Sequence, residues 1–329
     1  MFWFIVGLCI LILSAELIIR GAGRLAASLG MPPLILGLTV VSIGTSAPEL
    51  AVGITANLQG SPGLAVGNIA GTNVFNLLFI LGLSACVAPL PLKLQVLRLE
   101  LPAMAITALM MALLAWDGMM TRLEGVLLVL GAVVYTSLVI RSARAAPPEP
   151  NEAPMSPELE ADASSLAAPP TQRGLLRERL WYSALLAVGL GLSVLGADWL
   201  VVGAVSIARS FGFSDALIGL TVVSVGTSMP ELVTTVVATV RGERDVAVGN
   251  LIGSSIYNIL AILGATAAFS PAGLVVERGL VLVDIPVMVV AVLLCVPIFI
   301  TGRQVSRAEG AGLVIGYLVY AAALISLRA

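Results

Sequence analysis

Apolar residues run along this chain in blocks of about twenty, the length a helix needs to cross a bilayer, with short Gly-, Pro- or charge-bearing breaks between them. Reading these blocks gives spans near 2–20, 32–57, 64–88, 99–117, 123–142, 181–208, 216–240, 246–270, 279–300 and 309–327. The expectation is an all-α membrane protein of ten transmembrane helices. One stretch departs from the pattern. Residues 143–178 are rich in Pro, Ala, Glu and Ser without apolar periodicity, which predicts a disordered linker. The chain then divides into a five-helix unit at 1–142, the linker at 143–178 and a second five-helix unit at 179–329.

The two units resemble each other. Gly37 to Gly82 matches Gly219 to Gly264 at a constant offset of 182, with about half the positions identical. The likeness reaches beyond this block, since Ala15-Glu16-Leu17 aligns with Ala197-Asp198-Trp199 and Arg122-Leu123-Glu124-Gly125 with Arg307-Ala308-Glu309-Gly310. A unit of five spans is odd, so two copies enter the membrane in opposite senses, giving two inverted repeats. Lys and Arg then set the orientation. On the linker side lie Arg20, Arg24, Lys93, Arg98, Arg141, Arg144, Arg173, Arg177, Arg179, Arg241, Arg244, Arg303 and Arg307, against Arg122, Arg209, Arg278 and Arg328 opposite. The linker is expected in the cytoplasm and both termini outside, in a multi-pass inner (plasma) membrane protein.

Composition narrows the chemistry. With 59% apolar and 11% charged residues, a soluble fold would need helices that are apolar all round. The run from Phe2 to Ile19 has no basic segment before it and no small-residue cleavage pattern after it, so it reads as a first membrane helix rather than a leader. The chain has 0 histidines, which excludes His-based zinc sites and Ser-His-Asp catalysis. Cys9, Cys86 and Cys295 stand singly in apolar runs, as small core residues do. No basic cluster suggests nucleic acid. Nothing implies a cofactor, an enzyme activity or a protein partner, and a monomer suffices.

Against this apolar background each repeat carries one glutamate inside a span, Glu49 and Glu231. A carboxylate there needs a partner or a cation to offset its desolvation. The sequence before Glu49 is Ser42-Ile43-Gly44-Thr45-Ser46-Ala47-Pro48, and before Glu231 it is Ser224-Val225-Gly226-Thr227-Ser228-Met229-Pro230. Gly loosens the helix, and Pro48 cannot bond back to the Gly44 carbonyl, so the helix should break and free carbonyls near Ser42 to Thr45. Such carbonyls at membrane depth suit hard cations. A simple Pro kink with back-bonded hydroxyls fits one copy of this sequence; a glutamate and a duplicate favour a site. In the following helices Gly67 and Gly71, and Gly249 and Gly253, form smooth strips for close packing. Thr72 and Asn76, and Ser254 and Asn258, share a face four residues apart and can present oxygens toward the glutamates, although Asn76 and Asn258 also suit interhelical hydrogen bonds. Asn68 and Asn250 fit either a structural or a ligand role. Two carboxylates among neutral oxygens match Ca²⁺, with Na⁺ or protons as exchange partners.

The motifs GTSAPEL and GTSMPEL, each followed by GN-x-x-G-[TS]-x-x-x-N, resemble the repeats of the cation/Ca²⁺ exchanger superfamily, specifically its prokaryotic sodium/calcium exchanger-like members. The resemblance covers the membrane region and implies an antiporter with four cation sites at the repeat interface. It implies that Glu49 and Glu231 bind Ca²⁺ with the carbonyls of Thr45 and Thr227. Ser46, Ser228, Thr72 and Ser254, with the carbonyls of Ser42 and Ser224, would complete Na⁺ sites, flanked by Asn76 and Asn258. It also implies that the first and sixth helices slide to switch access. Some members carry Asp where this chain has Asn258, and the proton-coupled branch uses a histidine that this chain lacks. Na⁺ is therefore the expected counter-ion, with H⁺ or K⁺ coupling as the alternative and a channel as a more distant one.

Other acids read as structural. Glu16 and Asp198 suit pairing with a nearby arginine, Glu100, Asp284, Glu124 and Glu309 suit helix starts, and the linker acids lack the spacing of a Ca²⁺-binding loop.

Overall fold

A computed structural model describes residues 2–145, 172–210 and 224–328. We label its helices α1 (Phe2–Leu29), α2 (Pro33–Leu58), α3 (Pro62–Val87), α4 (Val96–Leu114), α5 (Arg122–Ala145), α6 (Gln172–Ser210), α7 (224–241), α8 (Arg244–Phe269), α9 (Leu280–Ile300) and α10 (Arg307–Arg328). Among the described residues eight of these, α1 to α6, α8 and α9, are long and apolar enough to cross a membrane. The start of the expected span at 216–240, residues 216–223, lies outside the described residues.

The centre of the molecule is α8, with 94% of its apolar window buried against 33% for α1. Packed around it are α2, α3, α4 and α7, and their buried side chains form the main core, from Leu34 and Leu38 through Ile69, Leu77 and Met104 to Ile256 and Leu263. Four short strands pair at the helix ends: β1 (Leu90–Pro91) with β4 (Gln304–Val305), and β2 (Met119–Met120) with β3 (Leu274–Val275), both antiparallel. Each pair joins one connection from each repeat. Arg307 donates to the Val87 carbonyl at 3.2 Å, and Arg122 does the same for Ala268 at 3.1 Å.

Outside this body, α1 and α6 lie antiparallel along each other. Glycines make the approach close. A Cβ at Gly203 would stand 2.2 Å from the Phe4 backbone nitrogen, and one at Gly7 would stand 2.4 Å from that of Leu200. Gly189 and Gly196 meet Ile18 and Leu11 in the same seam. Because the obstacle at Gly203 is backbone, a methyl there has to push the helices apart, at a cost of about 1–3 kcal/mol. Gly203→Ala is expected to lower the melting temperature of the purified protein by several degrees in a thermal-shift assay; an unchanged value would mean that the seam is loose.

Several expectations are met and several corrected. The first helix continues past residue 20 to Leu29, taking in Arg20 and Arg24. Helix reaches into both ends of the stretch 143–178, since α5 runs to Ala145 and α6 begins at Gln172; 146–171 lie outside the described residues. Glu124 and Glu309 start their helices through capping boxes. Glu124 accepts from Thr121 N at 2.6 Å while Thr121 Oγ1 accepts from Glu124 N, and Glu309 and Ser306 repeat the arrangement at 2.8 Å. Glu100 and Asp284 make no such cap. They are buried acceptors instead, Glu100 from Tyr135 and Gln95 and Asp284 from Tyr320. Glu16 pairs with Arg20 at 2.6 Å and with Arg241 at 3.0 Å, the arginine pairing that the sequence suggested.

Candidate cation site

The helix breaks fall where the Gly-Thr-Ser-x-Pro sequences place them. Ser42–Thr45 ends at Ser46, whose φ of −81° and ψ of 10° leave the helical region before Ala47–Leu58 resumes with Pro48 in its first turn. In α7, Ser228 (φ −88°, ψ 7°) separates Ser224–Thr227 from Met229–Arg241 in the same way. Each broken helix thus puts a helix N-terminus, with its glutamate in the first turn, at the centre of the protein. Gly44 and Gly226 make room for α6, since a Cβ would meet Leu190 at 2.5 Å and Val201 at 2.1 Å.

The two breaks meet across the repeat boundary. Ser46 Oγ donates to Glu231 Oε1 at 3.2 Å, and Ser228 Oγ donates to Glu49 Oε1 at 3.4 Å. Ser228 also reaches Thr72 Oγ1 at 3.3 Å, and the Thr45 and Ser254 hydroxyls lie 3.5 Å apart. Thr45 faces Glu231 and Thr227 faces Glu49. Glu49, Glu231, Thr45, Ser46, Ser228, Ser254, Asn76 and Asn258 are all fully buried, with Thr72 and Thr227 nearly so. Ser224 opens the α7 stub; its side chain lies outside the described set.

Several of these groups lack a protein partner. Glu49 Oε2, Glu231 Oε2, Asn258 Oδ1, and both Oδ1 and Nδ2 of Asn76, make no hydrogen bond. Unpartnered buried oxygens are costly and need an explanation. Hard oxygen donors with two carboxylates among them suit Ca²⁺ or Na⁺, which would satisfy them as cargo.

Ser42 departs from expectation. Its carbonyl is not freed by the break, because it accepts from Ser46 N at 3.1 Å, Thr45 Oγ1 at 3.3 Å and Ser254 Oγ at 3.4 Å. Its hydroxyl bonds the Gly37 carbonyl at 2.6 Å and reaches those of Gly249 and Asn250. The glycine strip on α8 explains this proximity: Cβ atoms at Gly249 and Gly253 would stand 2.8 Å from the Leu34 carbonyl and 2.6 Å from that of Leu38. The segment that would answer Gly67 and Gly71 in the same manner, 219–223, lies outside the described residues.

Asn73 escaped the sequence reading. Its Nδ2 donates to the carbonyl of Ser255, its own repeat counterpart, at 3.0 Å, and its Oδ1 accepts from Asn258 Nδ2 at 3.1 Å. It therefore anchors one end of the Asn258 amide and leaves the other without a partner. The only available signal was its place directly after the repeated GN-x-x-G-[TS] segment, where its counterpart is a serine. Nor did sequence show that Asn76 and Asn258 sit in π-helical turns, Phe75–Ile80 and Asn258–Leu263, of a kind that recurs at functional sites.

The surroundings of known proteins agree with this geometry. The family model described as "Sodium/calcium exchanger protein" matches residues 1–141 and 181–326. The inner membrane protein YrbG of Escherichia coli is 37% identical over 81% of this chain and 79% of its own. The sodium/calcium exchanger MaX1 of Methanosarcina acetivorans is 30% identical over 96% of this chain and 95% of its own. A solved structure of the sodium-calcium exchanger NCX_Mj, soaked with Na⁺ and Ca²⁺, superposes with a TM-score of 0.80 at 26% identity, covering 98% of this chain and 97% of that one. With a family match over both halves and a relative matched along nearly its whole length, this chain belongs to the sodium/calcium exchanger protein family, as a multi-pass membrane protein.

Proposed function

We propose that this protein exchanges Ca²⁺ for Na⁺ across the inner membrane by alternating access, through ten membrane helices arranged as two inverted repeats, with the linker cytoplasmic and both termini outside. The observation that carries the reading is the reciprocal contact of Ser46 with Glu231 and Ser228 with Glu49, which brings two carboxylates with unpartnered oxygens into one buried cluster. Cation/Ca²⁺ antiport is what family membership supports; Na⁺ as the counter-ion and the assignment of ligands are our reading.

Glu49 and Glu231, with the carbonyls of Thr45 and Thr227, hold Ca²⁺. Ser46, Ser228, Thr72 and Ser254 hold Na⁺ around the same carboxylates, with Asn76 and Asn258 beside them. The carbonyls of Ser42 and Ser224 complete those sites, that of Ser42 after it exchanges its bond to Ser254. Two facing buried carboxylates cannot stay ionised without cations, since the desolvation and mutual repulsion of the bare pair are several kcal/mol or more. The carrier therefore changes sides only when loaded, by one divalent or by several monovalents, and this exclusion couples the two fluxes. Movement of α1 and α6 along the rest of the bundle would switch access, and their shared glycine seam lets them travel together.

The test is ⁴⁵Ca²⁺ uptake into proteoliposomes loaded with Na⁺, K⁺ or acidic buffer and diluted into Na⁺-free medium at clamped voltage. Uptake from Na⁺-loaded vesicles alone is expected. Uptake driven by an acid or K⁺ interior would transfer the assignment to H⁺- or K⁺-coupled exchange, and uptake regardless of loading would mean a channel.

A further inference from the structure

Beside the carboxylates runs a hydrogen-bonded chain whose counterpart under the repeat lacks one of its members. Asn250 Oδ1 accepts from the Thr45 hydroxyl at 3.1 Å, and Asn250 Nδ2 donates to Thr235 Oγ1, also at 3.1 Å. All three residues are fully buried. Thr235 stands one turn beyond Glu231 on the same face of α7, and Asn250 stands one turn before Ser254 on α8. The chain therefore ties the last residue of the α2 stub to the helix that carries the opposite glutamate.

The other repeat cannot build this chain. The counterpart of Asn250 is Asn68, whose Nδ2 has no hydrogen-bond partner. The counterpart of Thr235 is Gly53, which offers no side-chain acceptor, and a Cβ there would stand 2.8 Å from Thr266 Oγ1. The space is filled from the other side.

We infer that Thr235 and Asn250 are positioning residues that fix the orientation of Thr45, so that its carbonyl is preset toward the Ca²⁺ site. The inference rests on the Ca²⁺ site proposed above and adds to it the residues that orient one of its ligands. The physics is that of an outer shell that orients a ligand: Thr235 accepts, which fixes the amide of Asn250 with its oxygen toward Thr45, and that oxygen holds the hydroxyl of a residue placed where the helix hydrogen bonding is interrupted. Without it, the Thr45 side chain keeps the Ser42 carbonyl of its own helix, the distant Ser254 hydroxyl and Glu231, whose charge is the one the arriving ion claims. A carbonyl that is not preset must be ordered when the ion arrives, which weakens binding and blurs discrimination by ion size.

The experiment measures Ca²⁺ and Ba²⁺ uptake by the full-length protein in Na⁺-loaded proteoliposomes, for the wild type, Thr235→Val, Asn250→Leu, Thr235→Ser and Thr239→Val. Thr239 lies one turn further along α7 and bonds only to the Thr235 carbonyl, so its variant controls for losing a hydroxyl from this helix. Thr235→Val should raise the KM for Ca²⁺ by roughly tenfold, the usual scale for outer-shell changes at metal sites. Its maximal rate should stay within about twofold, and its preference for Ca²⁺ over Ba²⁺ should shrink. Asn250→Leu should do the same or more, Thr235→Ser should restore wild-type values, and Thr239→Val should match the wild type. If Thr235→Val behaves like Thr239→Val, or loses maximal rate at unchanged KM, the positioning role is overturned. If Asn250→Leu fails to fold, Thr235→Val and Thr235→Ser alone decide, since they change one buried hydroxyl. A wild type with no Na⁺-driven Ca²⁺ uptake overturns the transport reading itself, and this inference with it; a transporting wild type with an unaffected Thr235→Val overturns the inference alone.

Discussion

Glu49→Gln and Glu231→Gln are each expected to abolish Na⁺-driven Ca²⁺ uptake while leaving a folded protein. Each substitution keeps the size of the side chain and its acceptor oxygen toward Ser228 or Ser46, and takes away one of the two charges that face each other across the repeats. A divalent ion in a fully buried site then meets one negative charge instead of two. Breaking a buried ionic arrangement by removing one partner costs about 3–5 kcal/mol, which is roughly a hundredfold or more in affinity. Stability moves the other way. The bare pair repels itself, so the glutamine variants should melt higher than the wild type in Ca²⁺-free buffer, and added Ca²⁺, which raises the wild-type melting temperature by mass action, should leave theirs where it is. Uptake at wild-type rates by either variant would remove that glutamate from the site. Loss of uptake together with a lower melting temperature would mean a structural glutamate instead.

The parts of this site that were legible in sequence are those with a local cause. Pro48 and Pro230 remove an N–H, Gly44 and Gly226 loosen the turn before it, and the breaks fall at Ser46 and Ser228 accordingly. A glutamate in an apolar run has a desolvation cost that can be read without coordinates, and the duplicate motif doubled that signal. Glu124 and Glu309 were legible as helix starts for the same reason, and the capping boxes they form with Thr121 and Ser306 close within four residues.

What escaped depends on partners distant in sequence. The fate of the Ser42 carbonyl is decided in part by Ser254, 212 residues away, which comes within reach because Gly253 lets α8 approach. Glu100 and Asp284 precede Leu101-Pro102 and Ile285-Pro286, a pattern that invites a helix-start reading, yet each acts as the acceptor of a tyrosine from a later helix, Tyr135 and Tyr320. Repeat symmetry itself hid the Thr235–Asn250 chain: aligning the two blocks draws the eye to what they share, and this chain exists where they differ, at Thr235 against Gly53. The π-helical turns at Phe75–Ile80 and Asn258–Leu263 add one residue per turn without a compositional mark.

Asn258→Asp is expected to change the monovalent side of the exchange more than the fold. In the wild type the Asn258 amide donates to Asn73 Oδ1 at 3.1 Å and turns an unpartnered oxygen the other way. An ionised carboxylate in its place would face the Asn73 oxygen without a hydrogen to donate, and the conflict is relieved either by a proton on that carboxylate or by a cation beside it. At alkaline pH the cation wins when Na⁺ is abundant. The variant should then reach half-maximal Na⁺-driven Ca²⁺ uptake at several-fold lower Na⁺, and the reversal voltage of the exchange should shift because the number of monovalent charges moved per Ca²⁺ has changed. Acidification supplies the proton instead, so the difference from wild type should close as pH falls, a dependence that the amide, which takes up no proton in this range, cannot show by itself. Thermal stability should change little at acid pH, where the protonated group donates to Asn73 as the amide does. Identical Na⁺ dependence and reversal voltage at every pH would place Asn258 outside the ion coordination and leave it as the interhelical tie to Asn73 alone.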